Sequence, residues 1–179
     1  MYKVTKTNIS DCLEIHLTPF EDERGIIFKP FHCLDFNRLR LKSDFKEELV
    51  VKSKKNVLRG LHFQKPPYTQ GKLIYCIQGE IMDVAVDLRK SSSTYGQHVI
   101  FYLDSEKYNM AYIPEGFAHG YLVLSESATV TYKMTEVYAP KCEDGILWNS
   151  AGIKWPISDV ILSEKDLELK SLEVFKSPF

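Results

Sequence analysis

Lys72-Leu73-Ile74-Tyr75-Cys76-Ile77, the turn Gln78-Gly79-Glu80, and Ile81-Met82-Asp83-Val84-Ala85-Val86-Asp87-Leu88 decide the fold. Two runs rich in β-branched and aromatic residues flank a glycine turn, and both read as strands. Outward from this pair, 91–96 is a polar break and 97–103 a third strand. Residues 109–113, 120–124 and 128–134 supply three more. Short strands at regular spacing, with turns between them, predict an all-β sandwich or barrel. Helix is scarce. Residues 33–41 form a short one, and Ser163 caps another near the C-terminus, with acidic residues in its first turn. Residues 52–55 read as a solvated turn.

The 179 residues fit one domain spanning 1–179, and 44% hydrophobic content supports a packed core. A net charge of -1 offers no basic excess for a nucleic-acid backbone, so an anionic ligand must meet a local cluster. The start of the chain lacks a signal-peptide pattern, and no apolar run is long enough for a membrane helix. Cys12, Cys33, Cys76 and Cys142 show neither CxxC nor zinc-finger spacing. They read as free thiols in a reducing cytoplasm.

Two segments carry chemistry: Arg59-Gly60-Leu61-His62-Phe63-Gln64 and Pro114-Glu115-Gly116-Phe117-Ala118-His119-Gly120-Tyr121. Each sets a histidine beside glycine in an apolar stretch, where a titratable group is costly unless it is used. The second segment resembles one half of the metal site of cupins, which are small jelly-roll barrels. The first lacks the other half, because His62 is followed by Phe63-Gln64 with no second histidine. The ligand set for a metal is incomplete. His16, His32 and His98 lack supporting context and read as structural. Asp83 and Asp87 read as solvated strand residues or as partners of Arg89.

The two segments belong to a longer series. Gln70-Gly71-Lys72-Leu73, Gly79-Glu80, Tyr132-Lys133-x-Thr135, Tyr138-x-Pro140, Trp148-Asn149, Trp155-Pro156 and Leu162-Ser163-x-Lys165-Asp166 follow in order. From Asp22-Glu23-Arg24-Gly25 to Asp166 this series resembles the dTDP-4-dehydrorhamnose 3,5-epimerase family. The resemblance implies a cupin-type jelly-roll β-barrel with a few short helices near the termini. It implies an enzyme without metal or cofactor that inverts C3, C5 or both in a nucleotide-linked 4-keto-6-deoxy sugar. It also implies a homodimer and a place in surface-polysaccharide synthesis.

That chemistry needs a base on one face of the sugar, an acid on the other, and a cation near the C4 oxygen. The resemblance makes His62 the base, paired with Asp166, Tyr132 the proton donor and Lys72 the cation. It puts His119 in the sugar pocket and sets Arg59 and Arg24 on the pyrophosphate, Arg24 by reaching into a partner subunit. Gln64, Glu143, Lys29 and Glu47 complete the expected substrate contacts. The last two depart from the family pattern: Lys29 replaces a glutamate, and Glu47 and Leu49 replace a Gln-x-Asn pair. The ligand can therefore differ while the chemistry stays, for example in a 4-keto heptose, another nucleotide, or a single inverted centre. A 3,4-ketoisomerase and a non-catalytic sugar-nucleotide-binding cupin remain as alternatives.

Overall fold

The structure, a computed structural model, describes residues 2–179. The strands are β1 (Tyr2–Lys6), β2 (Leu13–Leu17), β3 (Phe20–Asp22), β4 (Gly25–Ile27), β5 (Glu47–Lys54), β6 (Leu58–Gln64) and β7 (Lys72–Gln78). They continue as β8 (Glu80–Asp87), β9 (His98–Asp104), β10 (Asn109–Ile113), β11 (Phe117–Val123), β12 (Ser127–Met134) and β13 (Glu143–Gly145). Helices α1 (Cys33–Arg38) and α2 (Glu164–Leu167) are short.

Two antiparallel sheets face each other, in the order β1-β2-β10-β7-β12-β5 and β13-β6-β11-β8-β9, as in a jelly roll. Strands β3 and β4 form a separate hairpin. Among the described residues no helix is long and apolar enough to cross a membrane.

The period of two along each strand divides the side chains. Ile74 and Cys76 of β7, Ala85 of β8, and Val130 and Tyr132 of β12 meet between the sheets. Met82, Val84, Val86 and Leu88 turn the other way, under Trp148, Trp155, Leu172 and Phe175 of the C-terminal segment. Leu73, Tyr75, Met110 and Tyr112 take Phe36 of α1 on the outside of the larger sheet. Strands buried on both faces read as continuous apolar runs, which is why β7 and β8 are legible from sequence.

The structure corrects four expectations. Strand β5 runs through Lys54, so 52–54 is not a turn. Its exposed lysines alternate with Val51 and Ser53, which point inward, and the alternation marks a strand with one wet face. Strand β11 begins at Phe117 and so contains the histidine motif. Helix α1 ends at Arg38. Asp83 and Asp87 are fully buried, not solvated. Asp87 accepts from Arg89 at 2.8–2.9 Å, whereas Asp83 pairs with His119.

Candidate active site

Strands β6 and β11 cross most closely at their glycines. A Cβ on Gly60 would lie 2.7 Å from the Gly120 Cα and 2.8 Å from the His119 oxygen, and Gly60 sits at φ +120°. Only glycine fits both demands. The contact puts His62 directly opposite His119, with a register shift just beyond. Such irregularities re-aim side chains.

Around this crossing lies an open cleft of about 290 Å³ between the sheets. His62, Arg59 and Gln64 enter it from β6 and His119 from β11. Lys72, Tyr132 and Met134 enter from β7 and β12, and Leu49 and Val51 from β5. His62 and Tyr132 therefore face each other from opposite sheets.

Helix α2 supplies Asp166. Ser163 caps it, its side chain accepting from the Asp166 N–H at 3.2 Å. This turn points the Asp166 carboxylate at β6, where Oδ1 lies 2.6 Å from His62 Nε2 and Oδ2 accepts from the Gly60 N–H at 3.4 Å. Burial alone would raise the Asp166 carboxyl. Hydrogen bonds from His62, Gly60 and Ser163 outweigh it and hold Asp166 below the usual range. An ionised carboxylate only accepts, so His62 Nε2 carries a proton in this pair, and in the neutral ring Nδ1 is the nitrogen with the free lone pair.

Lys72 is buried and donates to the His62 carbonyl at 3.2 Å. Burial pulls its ammonium down to about 8, against the attraction of Asp83 and Glu143. His119 donates from Nε2 to Asp83 Oδ2 at 2.7 Å, and both are buried. Burial pushes His119 down, towards the neutral form. Tyr132 stands edge-on to His119, with ring centroids 5.7 Å apart. Burial lifts its phenol well above 10, so it stays protonated.

The remaining expected residues divide. Arg59 lines the cleft and donates from Nε to Ser53 Oγ at 3.0 Å. Glu143 lines it too and accepts from the Tyr138 hydroxyl at 2.6 Å, with Lys165 at 2.5 Å. Gln64 reaches the wall, but its amide donates to the Tyr68 and Val137 carbonyls and accepts from the Ala139 N–H. Glu47 lies behind the rim, accepting from the Tyr138 N–H at 2.6 Å. Arg24 and Lys29 do not reach the cleft of their own chain. Arg24 is exposed and pairs with Asp22 at 2.6 Å, and the Lys29 carbonyl accepts from Tyr2.

Sequence reasoning took Ser163 only as a helix cap, quoted Tyr138 and Lys165 only as motif positions, and gave no role to Val51 or Met134; all five line the cleft. Lys165 had a signal, since it adjoins Asp166. Val51 and Met134 had none beyond alternation. His62 and His119 each give Nε2 to a carboxylate. Among the described residues no three His, Cys, Asp or Glu side chains converge as metal ligands. A base, a hydroxyl acid on the facing sheet and a buried cation between them suit proton transfer at carbon beside a carbonyl.

The family profile of dTDP-4-dehydrorhamnose 3,5-epimerase matches residues 6–174. The Salmonella typhimurium enzyme of that name is 48% identical over 170 residues, covering 93% of each chain. That of Methanothermobacter thermautotrophicus is 43% identical, covering 96% of this chain and 95% of its own. The crystal structure of the Legionella pneumophila 3,5-epimerase with dTDP-4-keto-L-rhamnose superposes with a TM-score of 0.94 at 38% identity. That match covers 98% of this chain and 95% of the other.

Proposed function

The chain belongs to the dTDP-4-dehydrorhamnose 3,5-epimerase family and is an isomerase of nucleotide-linked 4-keto sugars, and from that premise we propose how its residues divide the work. The substrate is a dTDP-linked 4-keto-6-deoxy sugar, inverted at C3 and C5. The C4 ketone acidifies the protons on both carbons. His62 Nδ1 removes one, and the imidazolium that forms is held by Asp166. The Lys72 ammonium lies by the C4 oxygen and stabilises the enolate. Tyr132 delivers a proton to the opposite face, which inverts the centre. Neutral His119, fixed by Asp83, offers its second ring nitrogen to a sugar hydroxyl. Arg59 meets the pyrophosphate, where a guanidinium is suited to two oxygens. Lys165, Glu143 and Tyr138 line the way out towards the nucleotide.

The observation that carries this reading is the His62–Asp166 pair facing Tyr132 across the cleft. Incubation with dTDP-4-keto-6-deoxyglucose in deuterium oxide, followed by NMR, tests it. Deuterium should enter C3 and C5 as both invert. His62→Asn should abolish exchange and inversion, and Tyr132→Phe should keep exchange but lose inversion. Exchange surviving in His62→Asn would remove His62 as the base.

The working unit in this proposal is a homodimer. The β3–β4 hairpin exposes Phe20 and Ile27 at 62% and 63%, with Arg24 between them, and β5 leaves an open sheet edge with Leu49 and Val50 exposed. Unpaired edges and apolar patches of this kind favour a second copy. The partner's hairpin would bring Arg24 and Lys29 over the cleft. Mixing inactive His62→Asn with Arg24→Ala should then restore activity, since hybrid dimers hold one complete site. No restoration would remove Arg24 from the neighbouring site. The free cysteines and a nucleotide-sugar substrate support a cytoplasmic location in this proposal.

A further inference from the structure

Arg24, Arg38 and Arg89 are each held by a carboxylate, Asp22, Asp35 and Asp87 in turn. Arg59 is held by a neutral group instead. Its Nε donates to Ser53 Oγ at 3.0 Å. Glu143 and Asp166 line the same cleft, but Lys165 takes the first at 2.5 Å and His62 the second at 2.6 Å. A carboxylate on the guanidinium would offset its charge and compete with an anionic ligand. A hydroxyl fixes the group and leaves the charge whole.

That hydroxyl is itself anchored. Ser53 is buried on β5, and its Oγ shares a hydrogen bond of 3.2 Å with the Tyr121 hydroxyl. Tyr121 is fully buried and stands opposite Arg59 where β11 pairs with β6. Residues directly opposed on paired strands share a face of the sheet. Tyr121 and Arg59 therefore both point towards Ser53, which comes from the facing sheet. The three side chains make one hydrogen-bonded line across the gap between the sheets. Neither Ser53 nor Tyr121 figures in the chemistry above.

We infer that Ser53 and Tyr121 are positioning residues that clamp Arg59 by its Nε and leave its two terminal nitrogens as a charged fork for the diphosphate. With Nε engaged, the edge between the terminal nitrogens is the one left to donate, and it matches two phosphate oxygens. A free arginine side chain loses much rotamer freedom when a ligand immobilises it. An arginine already fixed before the ligand arrives avoids that loss, so the clamp raises affinity without adding a contact to the ligand. The effect falls on binding, because the diphosphate is the part of the substrate that does not react.

The clamp rests on Arg59 meeting the diphosphate, and its test separates the two. Ser53→Ala removes one oxygen. KM for dTDP-4-keto-6-deoxyglucose and Kd for dTDP should each rise about five-fold, with kcat within about two-fold of the parent. Tyr121→Phe keeps the ring that fills the core and should raise both by about three-fold. In an Arg59→Ala background either substitution should add less than about 1.5-fold, because the group it positions is gone. Should Ser53→Ala fail to fold, the Tyr121→Phe cycle decides alone. Equal losses with and without Arg59 would reveal a packing defect and overturn the inference. Parental KM and Kd in the single variants, while Arg59→Ala weakens binding, would remove the clamp and leave Arg59 on the diphosphate. If Arg59→Ala binds dTDP as tightly as the parent, the Arg59 contact and the clamp fall together.

Discussion

Asp166→Asn is the sharpest test of the cleft chemistry, because it keeps the shape of the side chain and changes only what it can accept. In the parent, Asp166 Oδ1 takes the His62 Nε2–H at 2.6 Å and Oδ2 takes the Gly60 N–H. An amide has one accepting end and one donating end, so it cannot satisfy both. If its oxygen keeps Gly60, its NH₂ faces His62 Nε2 and forces the ring proton onto Nδ1, the atom meant to remove the substrate proton. If the oxygen turns to His62, two N–H groups collide at Gly60. The imidazolium also loses a charge-assisted bond worth about 1.5–3 kcal/mol, roughly a 10- to 150-fold drop in rate. A wrong tautomer deepens the loss. Because proton removal precedes every later step, deuterium exchange and product formation should fall by the same factor. The assay is exchange and inversion by NMR beside a melting curve, and the melting temperature should move little. Exchange within two- or three-fold of the parent, in a folded Asp166→Asn protein, would refute the dyad.

Lys72 gives a pH signature. Burial lowers its folded value to about 8 against about 10.4 unfolded, so the folded state binds fewer protons between these limits. Stability should rise with pH across that window, while activity falls as the ammonium is lost. Lys72→Met should be inactive yet more stable at pH 7, by up to about 3 kcal/mol, an advantage that shrinks towards pH 10. Calorimetry showing equal stability at pH 7 would contradict this. Gly60→Ala should cost roughly 2 kcal/mol or more, because the new Cβ meets backbone at a positive φ, and should push His62 from His119. An unchanged melting temperature and activity would sink that reading. Leu49 lies opposite Tyr132 and lines the cleft, so Leu49→Asn should shift preference towards more hydroxylated sugars by about ten-fold or more. Unchanged kcat/KM ratios across a sugar panel would remove Leu49 as a selector.

Most of the central strands were legible because they are buried on both sides and leave long apolar runs in the text. Strand β5 was not, since its exposed lysines look like a turn until their alternation with Val51 and Ser53 is set against a partner strand. The hairpin β3–β4 escaped for a related reason: its apolar residues face outward, so no core pattern marks them. Within the cleft, the quoted motifs led to His62, Lys72, His119, Tyr132 and Asp166. They could not say that the Gln64 amide is already engaged by backbone, or that Asp83 is buried under His119 and not in water.

The sequence by itself determined the fold class, the family and the residue types available for proton transfer. Those depend on local pattern and on motif order, both of which are written along the chain. Only the tertiary structure decided which side chains share a cleft and which nitrogen of His62 is free. It also decided that Arg24 and Lys29 stand apart from the site of their own chain. The physical reason is that a carboxylate more than one hundred residues away sets the His62 tautomer, and a glycine on another strand sets how near the two histidines come. Such distances depend on how the two sheets pack, and no stretch of sequence contains them.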